Sequence, residues 1–269
     1  MSKTDISFHF AHANGFPAGS YNALFSSLPE HFHRLHVDRF GHDPQLPVNA
    51  NWRNQVNELI KHVKVENTDS RGVYAVGHSF GAVISYMAAC EEPSLFRGLI
   101  MLDPPLVMGP MSYFFRFAKK TSLINKLTPA KLAETRNTQW PSHTDMEAYF
   151  QGKALFRNMD KRCIRDYVKH VTHTKGELTS LTFKAEVEAS LFRNVPHNLG
   201  KYKGKLKCPA LLVTAKDGAV CRPAMYDRLI QHNNIDHTEF KGGHMFPLEH
   251  PEAVAELIST TISKWNNSL

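Results

Sequence analysis

The chain has 269 residues, a formal net charge of +7 at pH 7 and a hydrophobic fraction of 42%. This length supports one large domain with a substantial core, which excludes the small scaffolds that depend on disulfides or zinc. Mean hydropathy is −0.35, and no apolar run approaches the roughly 20 residues that span a bilayer, so membrane insertion is not expected.

The positive charge is concentrated in the middle of the chain. Residues 104–205 carry 18 Lys and Arg against 8 Asp and Glu, a net charge of +10, and the remaining residues carry −3. Acidic and apolar residues interrupt these cations, so the pattern does not favour nucleic-acid binding. It indicates a solvated face or the steering of anionic substrates.

The cysteines and histidines do not indicate a metal site. The four cysteines form no C-x-x-C pair, and the sixteen histidines include no pair at metal-ligand spacing on a predicted helix. We therefore expect free thiols and no metal. The first five residues lack a basic start followed by an apolar segment, which predicts a cytoplasmic protein.

Short β-like runs alternate with helical patterns over most of the chain. Strands are predicted over 7–11, 34–38, 73–77, 99–103, 210–214 and 237–241, and helices over 21–27, 51–64, 81–90 and 251–265. This alternation predicts an α/β fold: a parallel sheet of about six strands flanked by helices.

The alternation stops after the fourth predicted strand. Residues 105–205 show no alternating β pattern and are predicted to be helical throughout, because an irregular loop of that length is implausible in a compact domain. We predict a helical lid there, inserted into a core formed by residues 1–104 and 206–269. Helices are predicted over 111–119, 129–137, 144–156, 161–173 and 183–192.

The lid is rich in aromatic residues that would either line an apolar substrate pocket or pack the lid against itself. Packing is expected for most of them. The pocket candidates are Phe114, Trp140, Phe150 and Phe192, together with Asn14 and His12 from the loop after the first strand.

The strongest chemical signal is Gly77-His78-Ser79-Phe80-Gly81, between a β-like run and a helical run. A strand that turns directly into a helix crowds its backbone, and glycines provide the space. This Gly-x-Ser-x-Gly order presents Ser79 as a nucleophile at a helix N-terminus, where backbone N–H groups favour negative charge.

A serine nucleophile needs a base and a carboxylate that orients the base. His244 follows the last predicted strand in a glycine-flanked loop, and we expect it to be the base. Asp217, directly after the fifth predicted strand, is the predicted acid, although an aspartate before glycine is also common in ordinary turns. Asp103, the last residue of the fourth predicted strand, is the alternative acid.

The oxyanion of a tetrahedral intermediate needs backbone donors. We predict the N–H groups of Phe80 and Phe16 as this oxyanion hole. Phe16 follows Asn14-Gly15, which has the alternative interpretation of an ordinary tight turn. We expect His78, next to the nucleophile, to be structural.

These motifs resemble those of the α/β-hydrolase superfamily, in particular its lidded serine esterases and lipases. Asn14-Gly15-Phe16-Pro17 is similar to the family's His-Gly-x-Pro loop, with asparagine in place of histidine. The resemblance extends from about Ser7 to Trp265, but the amino-terminal hairpin common in the family is not expected. It implies a Ser-His-Asp mechanism without a cofactor.

The expected function is that of a carboxylesterase acting on small to medium acyl esters through an acyl-enzyme. A thioesterase, a lactonase or a C–C bond hydrolase would use the same three residues, and a perhydrolase side activity stays open. The alternative of another class is a non-catalytic ligand-binding protein on this fold. A small-molecule ester is the expected partner, and a homodimer stays open.

Overall fold

The computed structural model describes residues 5–267 of the chain. Residues 1–4 and 268–269 lie outside the described residues. They are the outer ends of the predicted core segments 1–104 and 206–269. Residues 1–4 also supply most of the sequence from which the cytoplasmic location is predicted. The strands, in chain order, are β1 (Ile6–Ala11), β2 (Phe32–His36), β3 (Val73–His78), β4 (Phe96–Leu102), β5 (Gln139–Pro141), β6 (Thr172–Lys175), β7 (Leu178–Leu181), β8 (Ala210–Ala215) and β9 (Asp236–Phe240).

The helices are separated by these strands over most of the chain. They are α1 (Asn22–Ser26), α2 (Arg53–Glu66), α3 (Phe80–Glu91), α4 (Pro110–Ala118), α5 (Ile124–Leu127), α6 (Ala130–Glu134), α7 (Met146–Gln151), α8 (Lys161–Val171), α9 (Ala185–Arg193), α10 (Pro223–Asn233), α11 (Phe246–Glu249) and α12 (Pro251–Asn267). Within residues 5–267, no helix is long and apolar enough to cross a lipid bilayer.

Six strands form the main sheet in the order β2-β1-β3-β4-β8-β9, with parallel pairing throughout. The central strands β1 and β3 are buried along their whole length, whereas the edge strand β9 is largely exposed and the edge strand β2 is only partly buried. This difference explains why the central strands are apolar and the edges carry charged residues. The predicted parallel sheet of about six strands is confirmed.

Side chains that alternate along the strands build one core on each face of the sheet. On one face they pack against α2 and α3, and on the other against α1 and α12. Tyr74 and Val76 of β3 lie in the second core, whereas Val73 and Ala75 lie in the first. The flanking helices of the predicted fold are thereby confirmed.

The register of the central strands places three strand ends side by side. Ala11 pairs with Gly77, and His78 pairs with Leu102. The residues that directly follow β3 and β4 therefore emerge at the same edge of the sheet, which is where ligands bind in open α/β sheets.

The segment between β4 and β8, which we call the β4–β8 connection, is not helical throughout as the sequence predicts. It contains α4 to α9, but also a second, antiparallel sheet in the order β5-β7-β6. The predicted helix over 161–173 ends at Val171, where the chain enters β6. Gly176, at φ 61°, makes the turn between β6 and β7.

Candidate active site

Ser79 lies between the end of β3 and the start of α3 in a strained backbone conformation. Its φ of 54° and ψ of −119° are unusual for a residue with a side chain. The Ser79 N–H donates to the Leu102 carbonyl at 2.8 Å, which ties the turn to β4. This geometry presents the Ser79 hydroxyl at the carboxyl edge of the sheet.

The two glycines of the motif are required by close backbone contacts. A Cβ on Gly77 would lie 2.4 Å from the Gly81 carbonyl carbon, and a Cβ on Gly81 would lie 2.0 Å from the Ala11 carbonyl oxygen. Neither contact can be relieved by moving a side chain. The sharp turn at Ser79 therefore depends on glycine at both positions.

Asp103 follows β4 as Ser79 follows β3, and it is also held at positive φ, at 44°. Its side chain is completely buried. The carboxylate accepts hydrogen bonds from the Ala215 N–H and the Val220 N–H, each at 3.2 Å. These backbone donors stabilise the buried negative charge and fix its direction.

His244 lies between the serine and this aspartate. His244 Nδ1 is 2.6 Å from Asp103 Oδ2, and Nε2 is 3.1 Å from Ser79 Oγ. With a proton on Nδ1 donated to the carboxylate, Nε2 accepts from the serine hydroxyl. Three side chains that are far apart in the sequence thus form one hydrogen-bonded line.

The predicted acid, Asp217, does not occupy this line. It is exposed in the turn after β8, and its N–H donates to the Gly242 carbonyl at 3.0 Å. Asp103 takes the place because β4 is the direct neighbour of β3, whereas β8 is one strand further away. The structure therefore supports the alternative acid, Asp103, and gives Asp217 the role of holding the loop before His244.

His78, expected to be structural, joins the His244 backbone to Tyr21. Its Nε2 lies 2.9 Å from the His244 carbonyl oxygen, and its Nδ1 lies 2.8 Å from the Tyr21 hydroxyl. The Ala13 N–H donates to the same hydroxyl at 3.2 Å. Since the carbonyl only accepts, Nε2 carries the proton and Tyr21 donates to Nδ1.

Burial keeps His78 neutral, and its hydrogen bonds define which ring nitrogen carries the proton. Burial, reinforced by the nearby His244, holds the pKa of His78 well below its usual value. A neutral imidazole with one defined tautomer positions the His244 backbone without adding a positive charge beside the base. The sequence did not identify Tyr21, whose pKa is raised by burial.

His12, predicted to border the pocket, lies in the interior instead. It is fully buried, its Nδ1 donates to the Ala13 carbonyl at 2.8 Å, and its Nε2 accepts from the Phe40 N–H at 3.0 Å. Burial lowers the pKa of His12 to about 4. His12 therefore fixes the loop after β1 as a neutral residue and does not line a pocket.

The two predicted oxyanion donors differ in their surroundings. Phe80 is the first residue of α3, so its N–H has no acceptor within the helix. The Phe16 N–H donates to the Ala13 carbonyl at 3.0 Å, across a turn in which Gly15 has a φ of 78°. Asn14-Gly15 forms the ordinary tight turn, so this geometry supports Phe80 as a donor and not Phe16.

The aromatic pocket candidates of the β4–β8 connection have different environments. Trp140 and Phe150 are buried, with ring centroids 6.0 Å apart, and Phe150 also packs at 5.0 Å on Tyr167. These two rings therefore pack the connection internally. Phe114 is 41% exposed, and Phe192 on α9 is half-buried.

Asn14 contacts the connection directly. Its Nδ2 donates to the Glu188 carbonyl at 3.0 Å, and a Cβ on Gly15 would lie 3.0 Å from the Glu188 carboxylate. Arg136 pairs with that carboxylate at 2.6 Å and donates to the Tyr167 hydroxyl at 3.2 Å. Sequence reasoning missed Glu188 and Arg136, which lie in a region whose many charges resemble an ordinary solvated surface.

The assembled geometry is suited to nucleophilic attack by an alcohol. A hydroxyl that donates to a neutral imidazole can lose its proton to that imidazole as it attacks, and the carboxylate stabilises the resulting imidazolium. The N-terminus of α3 provides partial positive charge beside the attacking oxygen.

Comparison with known proteins identifies the family of the chain. The sequence model described as the Alpha/beta hydrolase family matches residues 10–257. The chain belongs to the alpha/beta hydrolase family. Ser79, Asp103 and His244 all lie within the matched residues.

Relatives of this alpha/beta hydrolase include two kinds of enzyme. It is 25% identical over 179 residues to a type I acyl-CoA thioesterase of Penicillium brevicompactum, an alignment that covers 61% of this chain and 39% of that protein. It is 28% identical over 122 residues to a monoglyceride lipase of Rattus norvegicus, covering 42% and 40%. The chain therefore spans about two fifths of the length of these curated relatives.

The fold is also shared with a solved structure. A peroxisomal alpha-beta-hydrolase of Saccharomyces cerevisiae superposes with a TM-score of 0.80 at 16% identity, covering all of this chain and 79% of the yeast protein. This likeness shows that the two proteins share a fold.

Proposed function

We propose that the protein is a serine hydrolase that cleaves carboxylic esters through an acyl-enzyme. The observation that carries the proposal is the hydrogen-bonded line from Ser79 Oγ to His244 Nε2, at 3.1 Å, and from His244 Nδ1 to Asp103 Oδ2, at 2.6 Å. A non-catalytic binding protein has no need of an orienting carboxylate behind a histidine at a strained serine.

In the proposed acylation step, Ser79 Oγ attacks the acyl carbon and His244 takes the hydroxyl proton. The tetrahedral intermediate collapses as His244 returns that proton to the leaving alcohol. Water then attacks the acyl-serine with His244 again as the base, which releases the acid and regenerates Ser79. The Phe80 N–H supports the oxyanion in both steps.

We further propose that the β4–β8 connection is the cap of this site. Asn14 donates to Glu188, and the Phe16 ring packs on the Tyr167 ring with centroids 4.9 Å apart. Both contacts join the loop after β1 to the connection, so the connection borders the entrance to Ser79. This arrangement would control which acyl and leaving groups enter.

Thioester hydrolysis is the second candidate, since the same three side chains serve it. It is favoured by the similarity to a type I acyl-CoA thioesterase, which exceeds the similarity to the lipases in the share of this chain covered. A thiol is a better leaving group than an alcohol, so no further general acid is required.

The direct test is a stopped-flow assay with p-nitrophenyl acetate and p-nitrophenyl butyrate. An acyl-enzyme that is hydrolysed more slowly than it forms predicts a burst of p-nitrophenol equal to the concentration of active sites, followed by slower turnover. Ser79→Ala should abolish both phases while keeping the thermal unfolding temperature. Equal hydrolysis by wild type and Ser79→Ala would refute the proposal.

A further inference from the structure

A polar cleft of about 480 Å³ lies between the core and the β4–β8 connection. The core side is formed by β2 and by the loops that follow β1 and β2. The opposite side is formed by the end of α8, by β6 and by Thr182. The cleft is large enough for a ligand of nucleotide size.

The cleft carries an excess of positive charge. Arg34, Arg39 and Lys169 line it, and Asp38 is the one carboxylate among the lining residues. Asp38 faces His36, with Oδ1 3.2 Å from Nε2. Within residues 5–267, none of the three cations forms an ion pair with a carboxylate, although the Asp38 charge acts on Arg34, and the lining keeps a net excess of positive charge.

The two arginines of the cleft are held in place by contacts with uncharged groups. Arg39 donates one hydrogen bond to the Thr182 carbonyl at 3.0 Å, which joins the two walls of the cleft. The Arg34 guanidinium lies 4.1 Å from the centre of the Phe25 ring. Guanidinium groups positioned in this way keep N–H groups for a phosphate, whose oxygens they bind in pairs.

The cleft and the reacting serine share one loop. Pro17 and Gly19 line the cleft, while Ala13 of the same loop donates to Tyr21 beside His78. Gly19 also permits close packing of the connection, because a Cβ there would lie 2.2 Å from the His170 ring. A ligand that fills the cleft therefore lies against a loop that is hydrogen-bonded, through Tyr21 and His78, to the backbone of His244.

We propose that this basic cleft binds the phosphates of the substrate's leaving group, so that the enzyme acts on acyl thioesters of a phosphorylated thiol of the coenzyme A type. This inference rests on the serine mechanism of the proposed function, applied to thioesters as its second candidate substrate, and adds the substrate class. The Ser79 Oγ–acyl bond forms as the C–S bond breaks, and His244 gives the proton to the thiolate. Water then releases the carboxylic acid and restores the Ser79 hydroxyl.

The binding test uses the full-length Ser79→Ala protein and coenzyme A as the probe, measured by isothermal titration calorimetry. Lys169→Glu should weaken binding by roughly tenfold, because it replaces a charge-assisted contact with a repulsive one. Lys161→Glu, an equally exposed position at the start of α8 outside the cleft, should bind as Ser79→Ala alone does. Binding should also weaken as salt is raised.

The kinetic test compares butyryl-coenzyme A with the N-acetylcysteamine thioester of butyrate, which lacks the phosphates. Lys169→Glu should raise KM for the coenzyme A thioester by roughly tenfold and leave kcat/KM for the short thioester unchanged. Competition by inorganic phosphate distinguishes a general anion site from a site that recognises the whole coenzyme A molecule. A site of the second kind requires coenzyme A to bind more tightly than phosphate.

The outcomes separate this inference from the proposed function. Absence of coenzyme A binding, equal losses in Lys169→Glu and Lys161→Glu, or binding no tighter than that of phosphate would overturn the cleft proposal, even if esters are cleaved. Binding lost only in Lys169→Glu, with equal ester hydrolysis by wild type and Ser79→Ala, would instead support the cleft and refute the serine hydrolase.

Discussion

The reacting side chains and the basic cleft are held in the structure by different means. Ser79 and Asp103 lie at strained backbone positions, and each is fixed by bonds from neighbouring strands. Arg34 and Lys169 of the cleft are exposed side chains on regular elements. The proposed reaction at Ser79 therefore depends on the backbone conformation of the sheet. The proposed binding in the cleft depends on surface charges, which can be changed without altering the fold.

The largest effect is expected from the acid of the site. Asp103→Asn should lower kcat by roughly 10³- to 10⁴-fold, because an amide cannot stabilise the imidazolium and favours the wrong histidine tautomer. The matched variant Asp217→Asn, in the exposed turn, should change kcat by less than about threefold. Steady-state kinetics with p-nitrophenyl butyrate measures both, and the reverse ranking would exclude Asp103 as the acid.

The close backbone packing at Gly81 predicts the next largest effect. Gly81→Ala places a Cβ 2.0 Å from the Ala11 carbonyl oxygen, so we expect a loss of stability of about 3 kcal/mol or more, or failure to fold. Gly200→Ala is the control, since a Cβ there meets no atom within 4 Å. Thermal unfolding of both variants checks this, and a Gly81→Ala protein as stable as wild type would contradict the close contact.

The buried histidines predict a pH dependence of stability. The pKa of His12 falls from 6.5 to about 4 on folding, so the unfolded chain binds a proton that the folded chain does not. Above pH 6.5, His12 therefore does not lower the free energy of unfolding. As the pH falls from 6.5 to 4, the free energy of unfolding decreases by up to about 3 kcal/mol.

Chemical denaturation at pH 8, 6 and 4.5 measures this dependence. His12→Asn should be less stable than wild type at pH 8 but should lose less on acidification. His173→Asn removes an exposed imidazole and is the control. An unchanged pH dependence in His12→Asn would show that His12 does not contribute it.

The smallest effect is expected from the Tyr21 hydroxyl, which joins His78 to the loop after β1. Tyr21→Phe removes the hydroxyl shared by His78 and the Ala13 N–H, and should lower kcat by about tenfold with little change in KM. Tyr74→Phe is the control, because its buried hydroxyl makes no hydrogen bond within residues 5–267. Equal kcat values for the two variants would argue against a positioning role of Tyr21.

The sheet could be predicted because hydrophobic runs and helical patterns alternate over most of the chain. The second sheet was missed because β5, β6 and β7 have only three or four residues each. The turn at Gly176-Glu177 between two threonine-containing runs was the available signal for a hairpin.

Ser79 and His244 could be placed from local sequence, since each lies in a glycine-flanked turn after a strand. The choice between Asp103 and Asp217 could not be made locally, because both follow apolar runs and precede turn residues. It depends on which strand lies next to β3, and on the buried donors of Ala215 and Val220, which are properties of the assembled sheet.

In the proposed mechanism, His244 makes the Ser79 hydroxyl reactive. A fluorophosphonate probe, followed by intact-mass analysis and peptide mapping, measures that reactivity. We expect one adduct on Ser79 in wild type, none in Ser79→Ala, and labelling of His244→Gln that is slower by at least about 100-fold. An unlabelled wild type, or an adduct that persists in Ser79→Ala, would contradict it.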